Sequence, residues 1–280
     1  MHMNKNAEII EPENGEGRSP SLSLSEIELA LCRATLFSAV ALGFRPPSEE
    51  TIGRFANSED AAALADAAAI LDVDGRLELV ERVTALANIA RAGVAPLAAS
   101  YVTLFGHTAR GPVPPYETEY GNEALFQQAQ ELGDLMGFYN AFGLTIKSGE
   151  HERSDHISCE CEFLSFLALK EAYALERRDS QMLDETRKAQ RLFLKDHLAR
   201  FLPTFVQKLS RADPSDFYSG LAEWCLRFVT QDSARLNVAL GAANLTLRPA
   251  EDDQVPMACG SGTECTAMPG VGDPENADFL

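Results

Sequence analysis

Apolar residues recur at intervals of three and four along most of the chain, without the Val, Ile and Thr alternation that is typical of strands. This spacing gathers apolar side chains on one face of an α-helix. Turn residues divide the pattern into about ten helices, so we predict an all-α, single-domain helical bundle. The predicted helices span about 23–42, 48–55, 58–71, 77–93, 96–105, 122–142, 157–178, 180–201, 205–209, 215–229 and 232–242. A capping box at 23–26 starts the first helix, and Pro203 breaks the eighth.

One helix is apolar on almost every face, between Ile157 and Leu175. A helix of that kind is normally buried at the centre of a domain. Ser154 or Asp155 is predicted to cap it, because short polar side chains accept hydrogen bonds from free N–H groups at a helix start. Asp155 and His156 should therefore lie where the central helix reaches the surface.

Residues 106–121 form a long loop that holds three prolines and three glycines, together with two tyrosines and two glutamates. Long loops inside helical proteins are uncommon and often functional. We expect this loop to serve as a recognition surface.

Composition changes at both ends of the chain. Residues 1–21 are expected to form a flexible leader, 22–248 the helical domain, and 249–280 an acidic, Gly- and Pro-rich tail that is disordered. The formal net charge of −18 argues against nucleic acid and against an anionic membrane surface. Neither a secretory signal nor an apolar run of membrane-spanning length is present, so we expect a cytoplasmic protein with no stable membrane insertion.

Two other functions are considered from the residues alone. Asp155-His156 could supply a general base with an orienting carboxylate for a helical hydrolase, but no Gly-x-Ser-x-Gly elbow accompanies them, and a capping role is preferred. Cys259 and Cys265, with Cys159 and Cys161, could form a thiol or metal site, although their spacing suits zinc poorly. No nucleotide-binding glycine loop is present.

Four blocks, in order, resemble the TorD/DmsD/NarJ-like redox enzyme maturation chaperones. They are Leu104-Phe105 with Pro114-Pro115-Tyr116-Glu117-Thr118-Glu119-Tyr120, Phe138-Tyr139 with Gly143-Leu144, Ser154-Asp155-His156-Ile157 with Glu160-Cys161-Glu162-Phe163-Leu164, and Phe193 with His197-Leu198, Phe201-Leu202-Pro203 and Phe205. Ser154, Cys161 and Phe201 depart from the residues that this family often has. The dedicated chaperones of dimethyl sulfoxide reductase-class molybdoenzymes are the subgroup that the chain resembles.

The resemblance implies a non-catalytic chaperone without a cofactor of its own, as a monomer or homodimer. Such a chaperone binds the apo catalytic subunit of a molybdopterin enzyme and its twin-arginine signal peptide, assists molybdenum cofactor insertion and delays export. A peptide with two arginines beside an apolar stretch calls for carboxylates beside aromatic surface. The predicted client-binding residues are Leu104, Phe105, Pro114, Tyr116, Glu117, Glu119, Tyr120, Asp155 and His156.

Overall fold

The computed structural model describes residues 25–72, 75–106, 110–121, 127–145, 153–212 and 217–249. In these ranges the helices pack their apolar faces against one another, and no β-strand occurs. Within those ranges the all-α prediction is confirmed. Ten α-helices and a 3₁₀ helix at Glu117–Glu119 follow one another. The α-helices are α1 Glu26–Gly43, α2 Glu49–Ala56, α3 Ser58–Leu71, α4 Glu78–Ala90, α5 Val94–Phe105, α6 Gln127–Ala141, α7 Ile157–Arg177, α8 Ser180–Asp196, α9 Leu198–Ala212 and α10 Phe217–Arg235.

The central helix is α7, as the sequence predicts, and its main neighbour is α1. The Ser165 hydroxyl on α7 donates to the Ala34 carbonyl on α1 at 2.9 Å. Such contact between side chain and backbone requires small residues at the crossing, and Ala34 and Ala168 are both buried. Aromatic rings of α6 and α8 pack against Phe163 of α7, which fixes the first turns of this helix.

A buried ion cluster fixes α7 against three other helices. Glu171 is fully buried and binds Arg33 of α1 at 2.9 Å and Arg187 of α8 at 2.8 Å. Arg235 of α10 lies 3.5 Å from the same carboxylate. Burial alone would raise the pKa of Glu171, but the surrounding arginines, with Arg33 foremost, hold it below the usual value. The charge is therefore fully compensated inside the fold.

Two predicted helix starts need correction. Ser25 rather than Ser23 caps α1, in a reciprocal capping box with Glu28. His156 caps α7, because its Nδ1 accepts the Ser158 N–H at 3.1 Å. Neither of the two predicted caps, Ser154 and Asp155, takes this place, and the Asp155 side chain binds the loop at 110–121 instead. The Asn122 cap predicted for α6 lies outside the described residues.

The predicted break at Pro203 is wrong. The chain breaks earlier, at His197, and Pro203 lies inside α9. A proline lacks the N–H that would bond the carbonyl four residues before it. That carbonyl, on Ala199, instead accepts the Gly241 N–H at 2.9 Å, so the missing helical bond is replaced by a distant one.

The helix predicted at 232–242 is also wrong beyond Arg235, where α10 ends. Asn237 adopts a left-handed conformation, with φ of 55°. The Val238 N–H bonds the Ser233 carbonyl at 2.8 Å, which closes a Schellman motif that Asn supports. Residues 236–249, here called the C-terminal segment, then run without helix across α9 to the loop at 110–121.

Within the described part of the chain, no helix by itself has the length and apolar character of a membrane span. Only α4 and α5 taken together meet those criteria, and they are bent by 107° relative to each other. The predicted leader at 1–21 and nearly all of the tail at 249–280 lie outside the described residues.

Candidate functional site

The loop at 110–121 is held on both sides, and one side is the start of α7. The Ile157 N–H donates to the Pro115 carbonyl at 2.9 Å, and the Glu117 N–H donates to the Asp155 carbonyl at 2.8 Å. These two bonds pair Tyr116 with His156 as an isolated antiparallel bridge. The two polar stretches that the sequence singles out are therefore in direct contact.

The other side of the loop is held by the C-terminal segment. The Gly121 N–H donates to the Thr246 carbonyl and the Arg248 N–H to the Glu119 carbonyl, both at 2.9 Å. The Arg248 guanidinium also donates to the Thr118 carbonyl and binds Glu131 of α6 through two bonds of 2.9 and 3.0 Å. A loop rich in proline and glycine thus acquires a fixed shape from neighbours distant in sequence.

Asp155 is fully buried and organises the loop rather than the helix. Its Oδ2 accepts the Thr118 hydroxyl at 2.7 Å, and both of its oxygens bind Arg153, at 2.9 and 3.1 Å. The Arg153 guanidinium also lies 4.4 Å from the centroid of the Tyr116 ring, in a cation–π contact. Asp155 therefore already neutralises an arginine of its own chain.

Glu117 is likewise fully buried and paired. Arg200 of α9 donates to its Oε1 through both Nε, at 3.1 Å, and Nη2, at 2.7 Å, and hydrogen bonds between charged groups are stronger than those between neutral groups. His197, the residue at the break between α8 and α9, contacts Oε2 through Nδ1 at 3.0 Å. A buried carboxylate with these partners locks the loop onto the start of α9.

His156 is fully buried under the Tyr116 ring, whose centroid lies 5.2 Å away. Its Nδ1 is also 2.7 Å from the Ser158 hydroxyl. Burial, reinforced by Arg45 and Arg153, lowers the pKa of His156 to about 3. A group with that pKa is too weak a base for general-base catalysis. Asp155 does not orient it either, so neither requirement of the hydrolase hypothesis is met.

Four of the predicted residues belong to the core. Leu104, Phe105, Pro114 and Tyr120 are buried, and the Tyr120 hydroxyl donates to the Pro114 carbonyl at 2.8 Å. Their role in this structure is to support the loop from beneath. Of the nine predicted residues, only Tyr116 and Glu119 reach the surface to any degree.

Glu160, one turn into α7, is a buried carboxyl whose two oxygens find no hydrogen-bond partner among the described residues. Burial, together with the nearby charges of Glu117 and Asp155, raises its pKa well above the usual value. The start of α7 therefore holds a neutral imidazole and a carboxyl that burial favours in its protonated form.

An apolar cavity of about 230 Å³ opens beside this network, between the end of α6 and the first turns of α7. It is lined by Tyr139, Leu144, Thr145, Cys159, Glu162, Phe163 and Phe166. Its walls are mostly apolar, with three aromatic rings and one carboxylate, and they suit an apolar side chain next to a positively charged one.

The thiol hypothesis receives no support from the described cysteines. Cys161 is fully buried, and burial raises the pKa of the Cys159 thiol to about 12, which makes it a poor metal ligand. No cluster of three or more potential metal ligands occurs among the residues that the structure covers. Cys259 and Cys265 lie outside them.

The residues that sequence reasoning misses are the cationic partners, Arg153, Arg200 and Arg248. An arginine on an amphipathic helix, such as Arg200, is usually predicted to be exposed to solvent. Its partner Glu117 lies 83 residues away, so the sequence gives no local sign of the pair. The short spacing of His197 and Arg200, three residues apart at the break between α8 and α9, is the signal that could have indicated a shared carboxylate.

With the site described, comparison with known proteins identifies the class. Residues 57–207 match the model of the nitrate reductase delta subunit family, and the chain belongs to this family. The TorD chaperone of Vibrio cholerae is 29% identical over 195 residues, which cover 69% of this chain and 86% of that protein.

Two further relatives are named for particular reductases. The perchlorate reductase assembly chaperone of Dechloromonas aromatica is 27% identical over 219 residues, 74% of this chain and 90% of that protein. The chlorate reductase assembly chaperone of Ideonella dechloratans is 39% identical over 82 residues, 29% of this chain and 42% of that protein. The predicted TorD-like family is thereby confirmed, and the chain is placed with maturation chaperones rather than with enzymes.

Proposed function

We propose that the chain is a system-specific chaperone in the cytoplasm, dedicated to the apo catalytic subunit of one molybdopterin enzyme. It binds that subunit as a monomer or homodimer, recognises its twin-arginine signal peptide, assists molybdenum cofactor insertion and delays export. The observation that carries the proposal is the family membership, joined to relatives named as assembly chaperones of perchlorate and chlorate reductases.

The surface proposed for the client combines the loop at 110–121 with the first turns of α7. Tyr116 and Glu119 remain partly exposed, and the Glu119 carboxylate, which lies 3.4 Å from Arg110 and 3.5 Å from Arg153, would be shared between these arginines and an arginine of the client. The apolar cavity next to them, with Glu162 on its wall, accommodates apolar side chains. Glu117 and Asp155 support this surface from within, since both are already paired with the chain's own arginines.

Co-expression with the molybdoenzyme catalytic subunit encoded nearest to this chain's gene tests the main proposal. A stable complex is expected with the subunit made without cofactor, and none with the cofactor-loaded subunit, as measured by size-exclusion chromatography and native mass spectrometry. Equal association with both forms would contradict a maturation role.

The finer proposal concerns the signal peptide and is tested by fluorescence anisotropy with the labelled peptide. Tyr116→Ala and Glu119→Gln should each weaken binding by about threefold to tenfold, because each removes a single contact of about 1 kcal/mol. Asp66→Asn, which removes an exposed charge on α3, is the matched control and should bind as the parent does. Unchanged affinity in all three variants would place the peptide elsewhere.

A further inference from the structure

The side of α7 that is turned away from the core carries a continuous stripe, here called the outer face of α7. Its members are Glu162, Phe166, Leu169, Tyr173 and Arg177. They follow one another at intervals of three or four residues, which places them on one side of a helix. Leu169 is 51% exposed and Tyr173 is 47% exposed, while Phe166 is partly buried. The stripe therefore has an apolar centre between two charged ends.

The neighbouring helix α1 widens this surface. Two ion pairs, Arg33–Glu171 at 2.9 Å and Arg45–Glu162 at 2.6 Å, join the two helices in opposite order, so α1 and α7 run antiparallel. Leu31 of α1, which is 44% exposed, therefore lies at the level of the C-terminal half of the outer face. Three of the six large apolar side chains that are exposed in the described part of the chain thus belong to this surface. Exposed apolar patches of this kind mark interaction sites.

The two ends of the outer face carry opposite charges. Glu162 is 55% exposed, and Arg45 contacts only its Oε2. Arg177, at the other end, forms no ion pair with any described residue, and the exposed neighbours Glu176 and Arg178 offset each other. A stripe with an acidic end, an apolar centre and a basic end is complementary to a second stripe of the same kind that runs in the opposite direction.

We propose that the outer face of α7 is the contact surface between two copies of this chain, packed antiparallel about a two-fold axis. An axis next to Leu169 brings Glu162 of each copy opposite Arg177 of the other, and Phe166 opposite Tyr173, because the members of each pair are equally far from the axis in sequence. One patch thereby serves both copies, as a two-fold interface requires.

Charge favours a second copy over other occupants. The net charge of −18 opposes contact between most surfaces of two copies, but on the outer face each acidic end meets a basic one. A purely basic peptide would be repelled by Arg177, and a purely acidic one by Glu162. A partner must present both charges in reverse order around an apolar centre, and a second copy does so.

The same packing affects the apolar cavity at the start of α7. Glu162 and Phe166 line that cavity as well, so a second copy would cover part of it. The dimer would then withhold this part of the surface from a client. That consequence rests on the proposed function, whereas the contact between copies does not.

Sedimentation equilibrium of the full chain tests the contact, and a reversible monomer–dimer equilibrium is expected between about 1 and 200 µM. A chain that stays monomeric over this range would overturn the proposal. Leu169→Glu should weaken dimerisation at least about tenfold, because it places two like charges next to the axis. Val102→Glu on α5, where the replaced side chain is 50% exposed, is the matched control and should dimerise as the parent does. Equal dimerisation of the two variants would remove α7 from the contact.

Glu162→Lys and Arg177→Glu, made in separate chains, test the antiparallel order. Each variant alone brings like charges together at both ends and should dimerise more weakly than the parent. An equal mixture of the two restores opposite charges at both ends, so it should associate about fivefold more strongly than either variant alone. No gain on mixing would overturn the packing, whereas association of the monomer with the apo subunit would still support the proposed function.

Discussion

His156 shows how one side chain can be assigned opposite roles by sequence and by structure. Beside Asp155 it resembles half of a catalytic pair, yet it is a helix cap with no exposed surface. The ring stays neutral because a charged imidazole would have to be desolvated beside Arg45 and Arg153. That neutrality has a measurable consequence for folding.

His156 should make the free energy of unfolding decrease as the pH is lowered. Its pKa is about 3 when folded and 6.5 in the unfolded reference, so the unfolded state alone takes up the proton as the pH falls below 6.5. The resulting loss begins near pH 6.5, amounts to about 2 kcal/mol at pH 5, and is complete only below the folded pKa. Urea denaturation at several pH values measures it.

His156→Asn is the variant that isolates this effect. The Asn carbonyl oxygen can accept the Ser158 N–H in place of Nδ1, so the cap is retained while the titration is removed. The difference in stability between pH 7 and pH 5 should shrink by about 2 kcal/mol relative to the parent. Glu160, whose raised pKa gives the opposite trend, is present in both proteins. An unchanged pH dependence would contradict the assignment.

At the scale of the element, α9 depends on residues far along the chain. The Ala199 carbonyl, freed by Pro203, accepts the Gly241 N–H, and the Thr204 hydroxyl donates to the Ala242 carbonyl at 2.8 Å. A proline in a helix is destabilising when the freed carbonyl is buried and unpaired. The C-terminal segment removes that cost, and α9 continues through the proline.

Gly241→Ala should therefore destabilise the protein strongly. A Cβ at this position would overlap the Arg200 carbonyl, so the segment must move and its bond to Ala199 is lost. We expect a loss of about 2–4 kcal/mol in the free energy of unfolding, measured by urea denaturation. Gly53→Ala, where the added methyl meets nothing within 4 Å, should be neutral or slightly stabilising. Equal stabilities of the two variants would exclude the close approach.

These elements also show how far the sequence could predict the structure. The period of apolar residues predicts α1 to α5 and α7 closely, because each helix buries its own apolar stripe, but it misplaces the boundaries of α8, α9 and α10. The continuation of α9 through Pro203 cannot be predicted from nearby residues. The Gly241 N–H that bonds the freed Ala199 carbonyl lies about 40 residues further along the chain. In the site, the sequence singles out the carboxylates Glu117 and Asp155. Whether they are exposed depends on their partners Arg200 and Arg153, and the hydrophobic pattern does not predict where these arginines lie.

At the scale of the molecule, the C-terminal segment joins α6, α9 and the loop at 110–121 into one unit. Arg248 makes two of these connections, because its backbone N–H donates to the Glu119 carbonyl while its side chain binds Glu131. Its side chain is only 9% exposed, and Tyr120 beneath it is fully buried. The surface proposed for the client thus depends on a segment that shows no helical pattern.

Truncation tests that dependence and the predicted domain limit at 248 together. A chain of residues 25–249 should melt within a few degrees of the full protein, because every described contact is retained. A chain of residues 25–240 loses the Gly241 and Arg248 bonds, and we expect its melting temperature to fall by about 10 °C, equivalent to several hydrogen bonds. Differential scanning calorimetry measures both. Identical melting of the two fragments would show that the segment lies on a fold already complete without it.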